Sequence, residues 1–242
     1  MKVSKPRALW IILMSVVYIL NTCGQAVLMR LFHKINRPWI DKTLRTWTRR
    51  ILALVEVNPV VINPHDTKPQ PGQPTIIMCN HSSLYDIPLS MFAFPDVSIR
   101  MLAKKELSRI PIVGKGMTAS EFPFIDRKNR HQAIKDLQVI KGLLDSGIVM
   151  WIAPEGTRSK DGKLKAFKKG GFITAINAQA TIIPIGIRGA NTILPARTLQ
   201  FNLGEPAEIH IGEPIDASAY TLDNKDALIE RVHRVMRELV GE

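Results

Sequence analysis

The segment that decides the fold is residues 75–86, which read TIIMCNHSSLYD. The apolar run TIIMC predicts a buried strand, and the polar residues that follow it predict the start of a helix. His81 stands at the carboxyl end of that strand, which is where α/β folds place their ligand sites. The segment therefore predicts a strand-to-helix unit and a candidate functional residue together.

Strand-like and helix-like patterns alternate along the rest of the chain. The further predicted strands are Val97–Ala103, Ile148–Ala153, Thr181–Ile187 and Glu208–Ile211, and the predicted helices are 131–145, 170–180 and 222–240. Continuous apolar strands are typical of a sheet that is covered on both faces. The sequence thus predicts an α/β domain with a largely buried sheet.

Composition narrows the class of protein. The chain has 242 residues, enough for one or two domains, and 45% of them are hydrophobic, which excludes wholesale disorder. Two cysteines cannot form a disulfide framework, and no cysteine and histidine cluster has the spacing of a zinc site. We therefore expect a globular protein without a metal.

Positive charge is concentrated at the amino-terminal end. The formal net charge is +12, and residues 1–50 hold ten Lys or Arg against the single acid Asp41, which leaves +3 for residues 51–242. A nucleic-acid-binding protein more often carries its charge on the folded domain, interleaved with aromatic residues. Here the charge flanks the most apolar segment, so an anionic membrane surface is the better partner.

The apolar run at residues 8–20 allows three interpretations. Thirteen helical residues reach roughly 20 Å, short of a hydrocarbon core of about 30 Å, so a crossing helix would have to run over 8–32 through the polar stretch Asn21–Gln25. A signal peptide or a lipoprotein modified at Cys23 is the second interpretation. The third, which we favour, is a monotopic anchor that dips into one leaflet.

A second helix is predicted over residues 38–57. Its apolar residues recur at helical spacing, and Lys42, Arg45 and Arg49 lie on the other side, as in a basic amphipathic helix at the headgroup boundary. The alternative is a core-packing helix with a solvated charged face. Five prolines between Pro59 and Pro74 predict a linker. We expect membrane-anchoring helices over 1–58 and the α/β domain over 59–242.

Asp86 follows His81 by five residues and would fall in the first turn of the predicted helix. A carboxylate bonded to one ring nitrogen fixes the tautomer and stabilises the imidazolium, which leaves the other nitrogen as a general base. The same spacing, Ser83-x-x-Asp86, also fits a capping box, in which case Asp86 only caps the helix.

Three more clusters follow in order: Ala103–Leu107, Phe122–Arg127, and Ala153–Ser159 after the strand IVMWIA. Arg158 in the last of these suits an oxyanion, because its planar fork binds phosphate or carboxylate through two hydrogen bonds. Each cluster alone reads as an ordinary strand end or a solvated turn.

Taken together and in this order, the clusters resemble the glycerolipid acyltransferase family. The family patterns N-H-x-x-x-x-D, G-x-x-F-I-D-R and F-P-E-G-T-R-S correspond to Asn80–Asp86, Glu121–Arg127 and Ala153–Ser159, followed by an apolar strand with Pro184. The resemblance covers roughly residues 75–190 and implies a mixed sheet flanked by helices. Glu121 stands in place of the usual Gly, and Ala153 in place of a frequent Phe.

The resemblance implies a reaction and a set of roles. His81 would take the proton from an acceptor hydroxyl that attacks an acyl thioester, and Asp86 would orient His81. The implied substrate-binding residues are Lys105, Arg127, Glu155, Gly156, Thr157 and Arg158. The implied product is phosphatidic acid, made by transfer from acyl-CoA or acyl-ACP to the sn-2 hydroxyl of 1-acyl-sn-glycerol-3-phosphate without cofactor or metal.

The expected location is the cytoplasmic face of a bacterial inner membrane, since the thiols are unpaired and the anchor is basic. The expected partners are a membrane lipid substrate, the anionic membrane surface and acyl carrier protein, with no nucleic acid. Two other functions stay open: acylation of another lysophospholipid or lyso-aminolipid, and a catalytically silent membrane-binding module.

Overall fold

The computed structural model describes residues 2–126 and 130–242, and its core is one mixed sheet. The strands are β1 (Val60–Ile62), β2 (Thr75–Cys79), β3 (Ile99–Met101), β4 (Ala103–Lys104), β5 (Phe124–Ile125), β6 (Val149–Ile152), β7 (Thr181–Arg188), β8 (Glu208–Ile211) and β9 (Ile215–Asp216). The main sheet has the order β1-β8-β7-β2-β6-β3, with β9 beside β7, and β4 pairs with β5 separately.

Strand direction is mixed, as the family resemblance implies. The four neighbours β7, β2, β6 and β3 run parallel, whereas β8 and β9 pair with β7 in antiparallel fashion and β1 runs parallel to β8. Every residue of β2 and β6 is buried, which explains why these strands are continuous apolar runs rather than alternating ones. The predicted fold class is confirmed.

Helices cover both faces of the sheet. They are α1 (Lys5–Leu31), α2 (Arg37–Leu54), α3 (Asp86–Ala93), α4 (Val113–Ala119), α5 (Arg130–Asp145), α6 (Gly170–Asn177), α7 (Ala190–Ile193) and α8 (Lys225–Val240). Side chains of a strand alternate between faces, so Ile77 and Cys79 of β2 pack with α1, α2 and α3. Ile76 and Met78 pack on the opposite face with α5, α6 and α8.

Helix α1 is continuous through the polar stretch that interrupts the apolar run, and Gln25 donates to Asn21 at 3.0 Å within the helix. Its 27 residues reach about 40 Å. Among the described helices, it is long and apolar enough to cross a membrane, by length and composition. One side packs on the domain through Ile11, Cys23 and Ala26. The other side exposes an apolar stripe: Leu9, Leu13, Val16, Val17, Leu20, Leu28 and Leu31.

Helix α2 folds back from α1 after a short turn, and Asn36 caps it by accepting from the Trp39 amide at 3.0 Å. Its apolar face is buried in the protein through Ile40, Ile51 and Leu52. The expectation that this face meets the lipid headgroups is therefore wrong, and the core-packing alternative holds. Both alternatives have the same periodicity, so the pattern could not separate them.

The segment between Pro59 and Pro74, predicted as a linker, contains strand β1. Val60, Val61 and Ile62 pair with β8 at the edge of the main sheet, so the linker prediction is wrong for these residues. Prolines are tolerated next to an edge strand, where one side of the strand forms no ladder. The domain boundary at residue 58 stays a prediction.

Candidate active site

The site begins where β2 ends, and Asn80 extends the pairing of that strand by one residue. Its side-chain amide donates to the Ile187 carbonyl at 2.9 Å, and its side-chain oxygen accepts from the Ile187 amide at 2.8 Å. Both hydrogen bonds are buried, and a hydrogen bond is electrostatically stronger in the protein interior than in water. Asn80 thus fixes the backbone just before His81 against β7. The sequence motif contains Asn80 but did not predict this role.

His81 and Asp86 are in direct contact, as the sequence predicts. The His81 Nδ1 atom lies 2.8 Å from Asp86 Oδ2, and the same oxygen accepts from the Ser82 amide at 2.7 Å and the Ser83 amide at 2.8 Å. Asp86 is fully buried as the first residue of α3. The geometry is thus compatible with both interpretations, because one carboxylate oxygen contacts the imidazole and the backbone amides before α3. The catalytic role stays a prediction.

The imidazole of His81 is held with one nitrogen open. Asp86 can only accept, so Nδ1 carries the hydrogen and Nε2 is left with a lone pair. Within the part of the chain that the structure describes, Nε2 has no hydrogen-bond partner, and the side chain is 17% exposed. The Trp151 ring packs edge-on at 5.9 Å between centroids and fixes the tilt of the imidazole. The ring can receive a proton from a bound molecule.

Glu155 acts on the backbone of His81. The carboxylate is buried, and it accepts from the His81 amide at 2.7 Å and from the Lys165 amide at 3.2 Å. Burial raises the pKa of this carboxyl group. The amide of Ser159 donates to the His81 carbonyl at 2.6 Å, so both peptide groups of His81 are fixed by the same turn. Direct contact between Glu155 and a substrate stays a prediction.

The other residues of that turn, Gly156, Thr157 and Arg158, differ in conformation and exposure. Gly156 has φ +74°, a left-handed conformation that favours glycine, and Thr157 is exposed. Arg158 is half-buried, and its carbonyl accepts from Lys165 Nζ at 2.9 Å. Its guanidinium group makes no hydrogen bond or ion pair with the described residues. The turn that holds His81 thus carries a guanidinium group that no described residue neutralises.

Strands β4 and β5 bring the two other predicted clusters together. They pair in parallel, with Ala103 opposite Phe124. Lys105, just after β4, then pairs with Asp126, just after β5, at 3.1 Å between Nζ and Oδ2. Arg127, which the family resemblance implies as a substrate-binding residue, lies outside the described residues. A substrate contact by Lys105 stays a prediction, since its ammonium group is shared with Asp126.

A second ionic cluster, which the sequence did not predict, joins α2 and β3 to Glu121. The Glu121 carboxylate binds the Arg37 guanidinium of α2 through both oxygens, at 2.9 Å and 3.1 Å from Nε. Arg100 of β3 is fully buried, donating to the Asp41 carboxylate at 2.8 Å and to the Ser120 carbonyl at 2.7 Å. Glu121 has φ +63°, so the residue that replaces the usual Gly keeps a glycine-like backbone.

Cys79 and Ser83 lie near His81 and are of residue types that can act as nucleophiles, but their surroundings disfavour this role. Burial raises the pKa of the Cys79 thiol well above its usual range, so this thiol stays protonated. The Ser83 hydroxyl is buried and donates to the Leu194 carbonyl at 2.8 Å. Among the described residues, no three His, Cys, Asp or Glu side chains lie close enough together to hold a metal ion.

Comparison with known proteins places this geometry in a family. The family model described as Acyltransferase matches residues 60–188, from β1 to β7, which is more than half of the chain. The chain therefore belongs to the acyltransferase family, and the resemblance drawn from its motifs is confirmed.

Individual relatives agree with the family. The mouse 1-acyl-sn-glycerol-3-phosphate acyltransferase alpha is 30% identical over 173 residues, which are 71% of this chain and 60% of the relative. The 1-acyl-sn-glycerol-3-phosphate acyltransferase of Cocos nucifera is 28% identical over 236 residues, 93% of this chain and 75% of the relative. The chain thus spans about 60% of the length of its mammalian relatives.

One solved structure covers nearly the whole fold. The crystal structure of the 1-acyl-sn-glycerophosphate acyltransferase PlsC from Thermotoga maritima superposes with a TM-score of 0.79 at 27% identity. The match covers 97% of this chain and 93% of that one, so it includes the two amino-terminal helices as well as the sheet.

Proposed function

We propose that this protein transfers an acyl chain from a thioester donor to the sn-2 hydroxyl of 1-acyl-sn-glycerol-3-phosphate, giving phosphatidate. The observation that carries the proposal is the contact of 2.8 Å between His81 Nδ1 and Asp86 Oδ2, with the other ring nitrogen open. This arrangement suits a general base for a hydroxyl group. The names of the relatives support the choice of acceptor.

The proton path follows from the tautomer. His81 Nε2 takes the proton of the acceptor hydroxyl as its oxygen attacks the thioester carbonyl. The carbon–sulfur bond then breaks, and the thiolate leaves as a thiol after taking that proton from the imidazolium. Asp86 stabilises the imidazolium between the two steps, because its buried negative charge faces Nδ1. Proton transfer of this kind typically accelerates a reaction about 10²- to 10⁴-fold.

Arg158 is the group that we propose for the acceptor phosphate. Its guanidinium has no partner among the described residues, and it lies between Glu155 and Ser159, the two residues of the turn that fix His81. An Arg fork can hold a phosphate through two hydrogen bonds and so set the distance from phosphate to hydroxyl. Arg127 and Lys105, from the neighbouring motif, would add further positive charge for the phosphate. Gly156 and Thr157 would line the same substrate-binding site.

We propose a monotopic position on the cytoplasmic side of a bacterial inner membrane. Helix α1 packs on the domain near both of its ends, through Ile11 and Ala26, so it cannot stand across a bilayer without drawing the domain in. Its exposed stripe instead suits one leaflet, and the surrounding cations suit anionic lipids. The lipid acceptor then needs only partial extraction to reach His81.

The test is an acceptor and donor panel with the full chain, measured by the release of free thiol. We expect turnover with lysophosphatidate and little with its dephosphorylated monoacylglycerol, because Arg158 would then face no charge. His81→Ala should lower kcat by about 10²–10⁴ while vesicle binding persists. Equal rates with both acceptors would remove the acceptor assignment, and full turnover by His81→Ala would remove the mechanism.

A further inference from the structure

Beyond residue 50, the sequence concentrates positive charge over residues 104–130, with a net charge of +4, and in one shorter loop. Residues 160–169, here called the basic loop, contain five lysines against Asp161, a net charge of +4. Residues 51–242 as a whole carry only +3, so the rest of that region sums to −1. The loop joins β6 to α6, directly after the turn that holds His81. Such a local excess favours a negatively charged partner at this place.

The basic loop lies on the face of the sheet opposite α1. It runs along α8: the Leu164 amide donates to Glu242 at 2.9 Å, Phe167 packs on His233 at 4.7 Å, and Lys169 pairs with Asp226 at 3.0 Å. Its aromatic side chain is turned inward, stacked on Phe172. The exposed apolar stripe of α1 belongs to the other helical layer. The loop therefore faces away from the proposed membrane side.

Hydrogen bonds tie the loop to the candidate active site. The Lys165 amide donates to the Glu155 carboxylate at 3.2 Å, and the Lys168 amide donates to the Pro154 carbonyl at 2.8 Å. Glu155 in turn holds the His81 amide at 2.7 Å. A partner bound at the loop is thus placed one short, fixed turn away from the imidazole.

Three of the five lysines are available to a partner. Lys160, Lys163 and Lys168 are exposed, and their ammonium groups have no bonded partner in the part of the chain that the structure describes. Lys165 and Lys169 are used within the protein. Every residue of the loop is described, and none of them exposes a large apolar side chain. This surface is cationic and polar, which suits a hydrophilic acidic protein rather than hydrocarbon.

We propose that the basic loop is the docking surface for an acidic carrier protein that presents the acyl thioester. The inference rests on the proposed function, which needs a thioester donor, and it adds where that donor binds. The lipid acceptor would reach His81 from the α1 side and the carrier from the α8 side. Charge attraction would speed the encounter and weaken with rising salt.

The test is the triple variant Lys160→Glu, Lys163→Glu, Lys168→Glu. The matched control, Lys68→Glu, Lys135→Glu, Lys141→Glu, changes the charge equally at exposed lysines outside the loop. Both are assayed with lysophosphatidate vesicles and with one acyl chain loaded on acyl carrier protein or on coenzyme A. We expect the loop variant to raise the KM for the loaded carrier about tenfold, with the KM for acyl-CoA and kcat within about twofold.

Other outcomes would overturn the inference. An equal rise of KM for both donors would assign the loop to the phosphates of a small donor, and lost vesicle binding would assign it to the membrane. An unchanged KM, or an equal rise in the control, would also contradict it. Calorimetry with unloaded acyl carrier protein measures docking without any turnover. If the wild type binds this carrier but does not acylate lysophosphatidate, the proposed function is refuted and the docking surface is not.

Discussion

Two buried ionic clusters in this acyltransferase differ in what they leave open. Around Asp86, one carboxylate oxygen takes three hydrogen bonds, and the imidazole that it holds turns its second nitrogen to a partly solvated space. Around Arg100, the charges face each other: the guanidinium meets Asp41, and Glu121 lies 3.9 Å away. Both clusters have a partly exposed member, since the side chain of His81 is 17% exposed and that of Asp41 18%. They differ in the exposed group: an imidazole with a nitrogen open to a bound molecule, against a carboxylate already paired with Arg100.

The largest expected effect sharpens this contrast. Asp86→Asn should lower kcat by about 10²–10⁴, because the imidazolium loses its buried counter-charge. The side-chain oxygen of Asn can still accept all three bonds that now converge on Oδ2, but its NH2 group would replace Oδ1, which is buried without a partner among the described residues. We therefore expect a loss of only about 1–3 kcal/mol in the free energy of unfolding. Steady-state kinetics and thermal unfolding measure the two effects. A large loss of stability with kcat preserved would make Asp86 a structural cap alone.

Arg100→Met should produce the opposite pattern. Removing the buried guanidinium leaves the Asp41 carboxylate with the Ser98 hydroxyl as its hydrogen-bond donor, and loss of one partner of a buried pair costs about 3–5 kcal/mol in the free energy of unfolding. We expect the turnover of the folded fraction to stay within about twofold, since Arg100 contacts no residue of the His81 cluster. Urea unfolding and active-site-normalised rates measure this. Arg100→Lys, which keeps the charge, should lose less stability.

The smallest expected effect concerns pH and Glu155. Burial raises the pKa of this carboxyl group above its ordinary value of 4.5, so the folded protein holds its proton after the unfolded chain has released it. The wild type should therefore lose stability relative to Glu155→Gln as pH rises from 4.5, by less than the cost of removing Arg100. Paired unfolding curves from pH 4 to 8 test this, and a difference independent of pH would contradict it.

Much of the fold was predictable because its signals are local. The strand TIIMC, the strand before Glu155 and the long carboxyl-terminal helix all appear close to their predicted bounds. Strand β1 was missed since three residues among prolines carry too little pattern, and it exists only because β8 offers an edge. The burial of α2 was also undecided, because a lipid surface and a protein core select the same apolar face.

The candidate site was predictable only in part. His81 and Asp86 are five residues apart, so a single strand-to-helix turn brings them together. Asn80, Trp151 and Ser159 act across the fold, and no periodicity reports them. The substitution of Glu121 for the usual Gly was visible as a departure, but the ion pair that explains it joins residues 84 positions apart.

The sequence by itself determined the α/β class, the basic and apolar amino-terminal region, and a histidine with its carboxylate, because these depend on neighbours along the chain. Only the tertiary structure decided that Glu155 holds the His81 backbone and that α1 lies along the domain. It also decided that the basic loop lies on the face of the sheet opposite α1. These relations depend on which faces of the sheet the helices cover, and burial of apolar surface selects that arrangement for the whole chain at once.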